Sequence, residues 1–281
     1  MNTVRVGELE LAFRTAGDSA KPTLLLLHGW PHSSALYAGV IDELGRDQHV
    51  IAFDLPAVGA SRGAPPSSEK HVLADILLSG AEALGGQSIV VAGLDVGGMI
   101  AFAAARDHAS RIAGAVVMNT VIPGIDPWSR VIADPRIWHF AFHNVPELPE
   151  TLVAGHERRY FDFFFDFLAK DKRALTETLR NEMTSAYATP ASLRAGFEWY
   201  RAFAHDAKRN AEPKRIDVPL LYLRGDADGR SIEDYVTGLR RAGAVNLTSG
   251  VVKGSGEYLP VEAPAEFIRW IRTAARRAPY A

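Results

Sequence analysis

The chain has 281 residues, 47% of them hydrophobic and 23% charged, the proportions of an ordinary globular protein with room for one large core. Lysine and arginine total 31 against 33 acidic residues, so the net charge of −2 gives no electrostatic footprint for nucleic acid or an anionic membrane. With no cysteine, disulfides, thiol catalysis and Cys-ligated metals are excluded.

The opening stretch MNTVRVGELELAFRTAG carries no long apolar run, and no later stretch reaches membrane-spanning length. A cytoplasmic location without membrane contact is therefore the expectation. Residues 3–16 read as an antiparallel hairpin at a sheet edge. Strands rich in Val, Ile and Leu are predicted at Thr23–Leu27, His49–Phe53, 88–92, 115–118, 220–223 and 246–252. Helices are predicted at 34–44, 69–84, 97–107, Ile232–Arg241 and 265–275. Strands alternating with helices predict a mostly parallel sheet covered on both faces. The alternation stops over residues 126–212, an aromatic-rich helical stretch with Pro123, Pro127 and Pro213 at its ends. Two units follow: a core of 1–125 with 213–281, and a helical cap of 126–212 whose aromatics mostly form its own interior.

One segment carries chemistry. Ile89-Val90-Val91-Ala92-Gly93-Leu94-Asp95-Val96-Gly97-Gly98-Met99 runs an apolar strand into a glycine-flanked turn and then a helix. This is the pattern of a nucleophile elbow, in which small residues two before and two after let the backbone bend sharply under one exposed side chain. Aspartate in that position suggests attack by a carboxylate and a covalent ester to carbon. A charge at the end of a buried strand is costly, so a purely structural reading is disfavoured. Gly93–Gly98 does not spell a dinucleotide fingerprint, no phosphate-binding loop occurs, and the nine histidines lack His-Glu-x-x-His spacing. No cofactor and no metal are expected.

Further motifs fall in order: His28-Gly29-Trp30-Pro31, Asp54-Leu55-Pro56, the elbow, Arg224-Gly225-Asp226-Ala227-Asp228, and Gly254-Ser255-Gly256-Glu257-Tyr258-Leu259-Pro260. Their order and spacing resemble the α/β-hydrolase superfamily over the whole chain. The resemblance implies an α/β-hydrolase fold: a mostly parallel eight-stranded sheet flanked by helices, with a helical cap insertion. His-Gly-x-Pro with Asp at the elbow resembles the epoxide hydrolase and haloacid or haloalkane dehalogenase branch. Trp138-His139-Phe140 with Trp199-Tyr200-Arg201 is similar to the fluoroacetate dehalogenases and to epoxide hydrolases that open the ring with a His/Tyr pair.

By that resemblance Asp95 is the nucleophile, and the N–H groups of Trp30 and Val96 form the oxyanion hole. His139 and Tyr200 face the leaving oxygen or halide, and His28, Pro31, His143 and Leu94 are substrate-side candidates. His32 is a further candidate, weighed against a solvent-facing place on the next helix. The chain also departs from the family. Glu257 stands where a histidine activates the hydrolytic water, Asn119 stands where the orienting acid usually lies, and Leu94 stands where histidine is common. Asp228 is the other position the superfamily uses for the acid.

Three readings follow: a hydrolase of epoxides or alkyl halides with Glu257 as base, a non-hydrolytic acid/base enzyme (cyclase, isomerase, lyase or dehydratase) using the Asp95/Glu257 pair, and a ligand-binding pseudoenzyme. Two carboxylates in one poorly hydrated site should titrate as a unit with one pKa raised. The aromatic cap and the lack of a basic cluster point to a small or medium, mostly apolar substrate. A homodimer is one expectation, since cap-mediated dimers are common in the family it resembles.

Overall fold

The computed structural model describes residues 1–227 and 229–277. Its strands are β1 (Asn2–Val6), β2 (Leu9–Ala16), β3 (Thr23–Leu27), β4 (His49–Phe53), β5 (Val90–Leu94), β6 (Gly114–Met118), β7 (Leu220–Gly225) and β8 (Leu247–Val252). They form one eight-stranded sheet in the order β1-β2-β4-β3-β5-β6-β7-β8. β1 and β2 pair antiparallel, and so do β2 and β4; every other neighbouring pair is parallel. Every residue of β3, β4, β5 and β6 is buried. That explains their unbroken apolar runs, because a parallel strand covered on both faces has no solvent side.

Two predicted boundaries move. The strand predicted at 88–92 lies two residues later and runs up to Asp95, because Ser88 has φ of 47°, outside the range of a strand. The helix predicted at 34–44 is broken into a 3-10 turn at Ser34–Tyr37 and a short helix α1 (Ile41–Gly45). Gly39 lies in the gap, and glycine inside a helix costs about 1 kcal/mol relative to alanine.

The remaining core helices are α2 (Lys70–Ala83) and α3 (Val96–Asp107). Between β6 and β7 the described elements are all helical: α4 (Trp128–Ile132), α5 (Trp138–His143), α6 (Leu148–Val153), α7 (Glu157–Leu168), α8 (Glu177–Ser185), α9 (Pro190–Arg201) and α10 (Phe203–Asn210), with one 3-10 turn at Pro135–Ile137. The chain closes with α11 (Ile232–Arg241), α12 (Leu259–Glu262) and α13 (Pro264–Arg277). α3 and α13 both pack against β5 and β6, while α2 joins α3 and α1 joins α13, which covers both faces of the sheet.

The helical segment is fastened to the core by buried charge. Lys70 Nζ lies 2.7 Å from Asp206 Oδ2, with both side chains under 5% exposed, and it also donates to the Trp199 carbonyl at 2.8 Å. Removing one member of such a pair leaves the other charge buried without its partner. Lys70→Met is therefore expected to lower unfolding free energy by about 3–5 kcal/mol. A urea titration reads this directly, and a loss below about 1 kcal/mol, the level of an exposed ion pair, would show that Asp206 is rehydrated.

Two features of this architecture position a site. β3 has β4 on one side and β5 on the other, so the strand order reverses there. In open α/β sheets, ligands sit beyond the carboxyl ends of the strands at such a switch point. Trp30 follows β3, and Asp95 follows β5 directly.

Candidate active site

Asp95 holds φ 54° and ψ −122°, a strained conformation for a non-glycine residue, at the junction of β5 and α3. The turn closes tightly because Gly93 has no side chain: a Cβ there would overlap the Gly97 carbonyl. Gly29 plays the matching part opposite, where a Cβ would overlap the Asp95 side chain. The Asp95 N–H donates to the Met118 carbonyl at 3.0 Å, fixing the turn to β6. Asp95 Oδ1 accepts the Trp30 N–H at 2.8 Å, and the Val96 N–H also donates to the carboxylate. Burial pushes the Asp95 carboxyl up to about 6, against the pull of those two donors and of the Lys70 cation.

Glu257 lies on the loop between β8 and α12 and lines the same cavity as Asp95. Its Oε1 is buried without a hydrogen-bond partner. Burial first, then the neighbouring Asp95 charge, raises its carboxyl well above the usual range, with Arg224 acting in the opposite direction. Asn119, with φ of 45°, directs its side chain to this loop's backbone. Its Nδ2 donates to the carbonyls of Gly256 at 2.8 Å and Glu257 at 2.9 Å, and its Oδ1 accepts the Gly225 N–H at 2.9 Å. It orients the main chain that carries Glu257. Asp228 lies outside the described residues. Asp226 is ion-paired with Lys170 at 2.7 Å near the surface.

The aromatic residues Trp30, His139, Phe140, Phe164 and Tyr200 line the cavity of about 270 Å³. Trp30 is boxed in by rings, with centroids at 4.4 Å to His143, 4.9 Å to Phe164 and 5.8 Å to Tyr200. Aromatic pairs of this kind contribute about 0.5–1.5 kcal/mol each beyond burial. Burial keeps the Tyr200 phenol protonated and lowers the His139 imidazole to about 3, so both are neutral hydrogen-bonding groups. Phe163 and Phe167 are exposed at 47% each, and Phe167 also lines the cavity, so part of the aromatic content lies outside a helical core.

Five sequence candidates stand off this cavity. Both His28 nitrogens serve backbone: Nδ1 contacts the Gly29 carbonyl at 2.8 Å and Nε2 accepts the Leu55 N–H at 3.0 Å, tying the loop after β3 to that after β4. Leu94 is the buried last residue of β5, and Pro31 is buried beside Trp30 without lining the cavity. His143 sits behind Trp30, 2.7 Å from the Tyr160 hydroxyl. His32, expected either at the ligand or in solvent, is in neither place; it is fully buried, with no partner at either ring nitrogen.

Sequence reading missed other residues that line the cavity, Arg136, Arg224 and Arg230 with Thr120 and Tyr235. Arg224 offered a signal, since a charge closing the apolar run of β7 is as unusual as Asp95 closing β5. Arg136 and Arg230 are far apart in the chain and give none. Within the described residues, no group of His, Asp and Glu is arranged to hold a metal ion, and no helix is long and apolar enough to cross a membrane.

Comparison with known proteins agrees with this architecture. Residues 22–229 match the alpha/beta hydrolase fold family. The soluble epoxide hydrolase of Corynebacterium sp. (strain C12) is 26% identical over 252 residues, covering 86% of this chain and 85% of that protein. Epoxide hydrolase 3 of Xenopus tropicalis is 32% identical over 278 residues, covering 92% of this chain and 72% of that protein. Among solved structures, the crystal structure of Cfl2 from Burkholderia cenocepacia aligns with a TM-score of 0.87 at 28% identity, over 96% of this chain and 94% of that one. A sheet of this order, a strained aspartate where β5 meets α3, and these relatives place the chain in the alpha/beta hydrolase fold family, with epoxide hydrolases among its homologues.

Proposed function

We propose that this protein hydrolyses an epoxide through a covalent ester on Asp95. The observation that carries this reading is the Asp95 carboxylate itself, one oxygen already held by the Trp30 N–H. The second oxygen is left to attack an oxirane carbon. As the C–O bond breaks, the Tyr200 hydroxyl gives its proton to the alkoxide beside His139, and the proton of Glu257 replaces it. The held Oδ1 then becomes the ester's carbonyl oxygen. Water attacks Cγ, the two backbone N–H groups stabilise the resulting oxyanion, and Glu257 accepts the water's proton. Collapse returns the Asp95 carboxylate and releases the diol.

The charge state of the pair fits this sequence. With Asp95 ionised, Glu257 keeps its proton. Esterification removes the Asp95 charge, and with it one cause of the high Glu257 value, so Glu257 can ionise at the stage where a base is required. The second reading, proton transfer by the same pair without an ester, draws on the protonated Glu257 acting as an acid.

Turnover of styrene oxide in ¹⁸O-labelled water separates the two. The covalent route puts label into Asp95, so the peptide containing it gains mass while the first-turnover diol carries unlabelled oxygen. Label appearing directly in the first diol, with none on Asp95, would rule the ester out.

A further inference from the structure

We propose that Glu262 is a positioning residue: it clasps the end of the cap helix α7 to the loop that carries Glu257, and Glu257 keeps its place in the cavity only while that seam is closed. The effect on chemistry rests on the covalent reading above; the seam itself does not.

A carboxylate offers two oxygens with about four lone-pair sites between them. Four main-chain N–H groups converge on that of Glu262. Its Oε1 accepts those of Lys170 at 2.5 Å and Asp171 at 2.9 Å, just past the end of α7. Its Oε2 accepts those of Gly256 at 3.0 Å and Tyr258 at 2.9 Å, on either side of Glu257. One oxygen serves the cap and the other serves the core. Hydrogen bonds to an ionised acceptor are also the strong ones, roughly twice the neutral kind.

Further contacts run along the same seam. The Glu257 N–H donates to the Leu168 carbonyl at 3.0 Å, and the Tyr258 hydroxyl donates to the Phe164 carbonyl at 3.3 Å. Gly256 comes so close that a Cβ there would overlap the Leu168 carbonyl. Residues from both sides of the seam line the cavity: Phe164, Leu168 and Ala169 from the cap, Gly256 and Glu257 from the loop.

The attacking group is held elsewhere. Asp95 is fixed by the Trp30 N–H on its side chain and by its own N–H on the Met118 carbonyl, and neither bond involves a seam residue. Opening the seam therefore displaces the base and leaves the nucleophile. Misplacing a reacting group by about 1 Å costs on the order of 10²-fold in rate, so the second half-reaction suffers and the first does not.

Glutamine at position 262 has a single acceptor oxygen, so whichever way its amide turns it can serve the cap or the loop but not both. In Glu262→Gln, amide exchange followed by NMR should quicken at Glu257 as well as at the four bonded N–H groups. The Glu257 N–H is bonded to Leu168 and not to Glu262, so a merely local loss would leave it protected. With styrene oxide, ring opening in the first turnover should keep its wild-type rate while steady turnover falls about 10–10²-fold, and mass spectrometry should show the Asp95 adduct accumulate. After burial and Asp95, the Glu262 charge also adds to the high Glu257 value, with Arg224 opposed. Gly256→Ala parts the seam with that charge retained and should give the same pattern. Unaltered exchange at Glu257 in Glu262→Gln, unaltered steady turnover in either variant, or an equal fall in both steps overturns the proposal. Faster exchange and slower turnover with no adduct would leave the seam standing and remove the covalent reading; an adduct with unaltered exchange would do the opposite.

Discussion

Asp95→Asn is expected to abolish turnover and, at pH 7, to make the protein more stable. The first effect follows from loss of the attacking oxygen, and deleting a nucleophile in comparable sites costs on the order of 10⁴–10⁶-fold in kcat. The second follows from linkage. The Asp95 carboxyl titrates near 3.8 as an ordinary aspartate and at about 6 in the fold. Between those values the folded chain holds its proton more tightly than the unfolded chain does. Stability is therefore lost as pH rises from 3.8 through 6, and the whole deficit is present above 6. Two units correspond to about 3 kcal/mol, reduced by whatever the asparagine amide lacks as an acceptor, so a gain of roughly 1–3 kcal/mol is expected at neutral pH. Thermal melts of the two proteins at pH 7 and pH 4 check it. The gain should shrink at the lower pH, and a variant less stable than wild type at pH 7 would show that the carboxylate is held for structure. The same titration governs the chemistry: the rate of ester formation in a single turnover should climb with pH and level off above about 6, because only the ionised carboxylate attacks.

Glu257→Gln should separate the two half-reactions. With Asp95 intact, ester formation proceeds, but no group remains to take the proton of the attacking water. Rapid mixing with an epoxide is expected to give one burst of ring opening per enzyme, followed by a steady rate lower by about 10²–10⁴-fold, the usual contribution of a general base. Intact-protein mass spectrometry should show the adduct accumulate. Glu257→His should restore steady turnover, since a neutral imidazole at that place can accept the proton. If Glu257→Gln turns over like the wild type, the base lies elsewhere.

The strands of the parallel sheet were largely legible because parallel strands buried on both faces write themselves as unbroken apolar runs. Thr23–Leu27 and His49–Phe53 were read to the residue. Boundaries slipped where one residue's conformation decided the matter: Ser88, with its positive φ, displaced the start of β5, and Gly39 divided the helix after Trp30. Asp95, Trp30, Glu257, His139, Tyr200 and Asn119 all border one cavity, and each stood in a motif with a recognisable frame. What the chain did not reveal was direction. His28 looked like a substrate contact in its motif but spends both nitrogens on backbone, and nothing in the sequence distinguishes those fates. Nor could it bring Arg136, Arg224 and Arg230 to the same cavity, since they meet only through tertiary packing.

The three hydrogen bonds of Asn119 have a consequence for how this site can change. They grip main-chain atoms of Gly225, Gly256 and Glu257. The loop bearing position 257 is further held by Glu262, whose Oε2 accepts the N–H groups of Gly256 at 3.0 Å and Tyr258 at 2.9 Å. None of these contacts depends on which side chain position 257 carries. The position works as a socket: its backbone is seated by neighbours, and its side chain can be exchanged without unseating it. An acid, an imidazole or an amide can be tried there beside the same Asp95 while the scaffold stays in place.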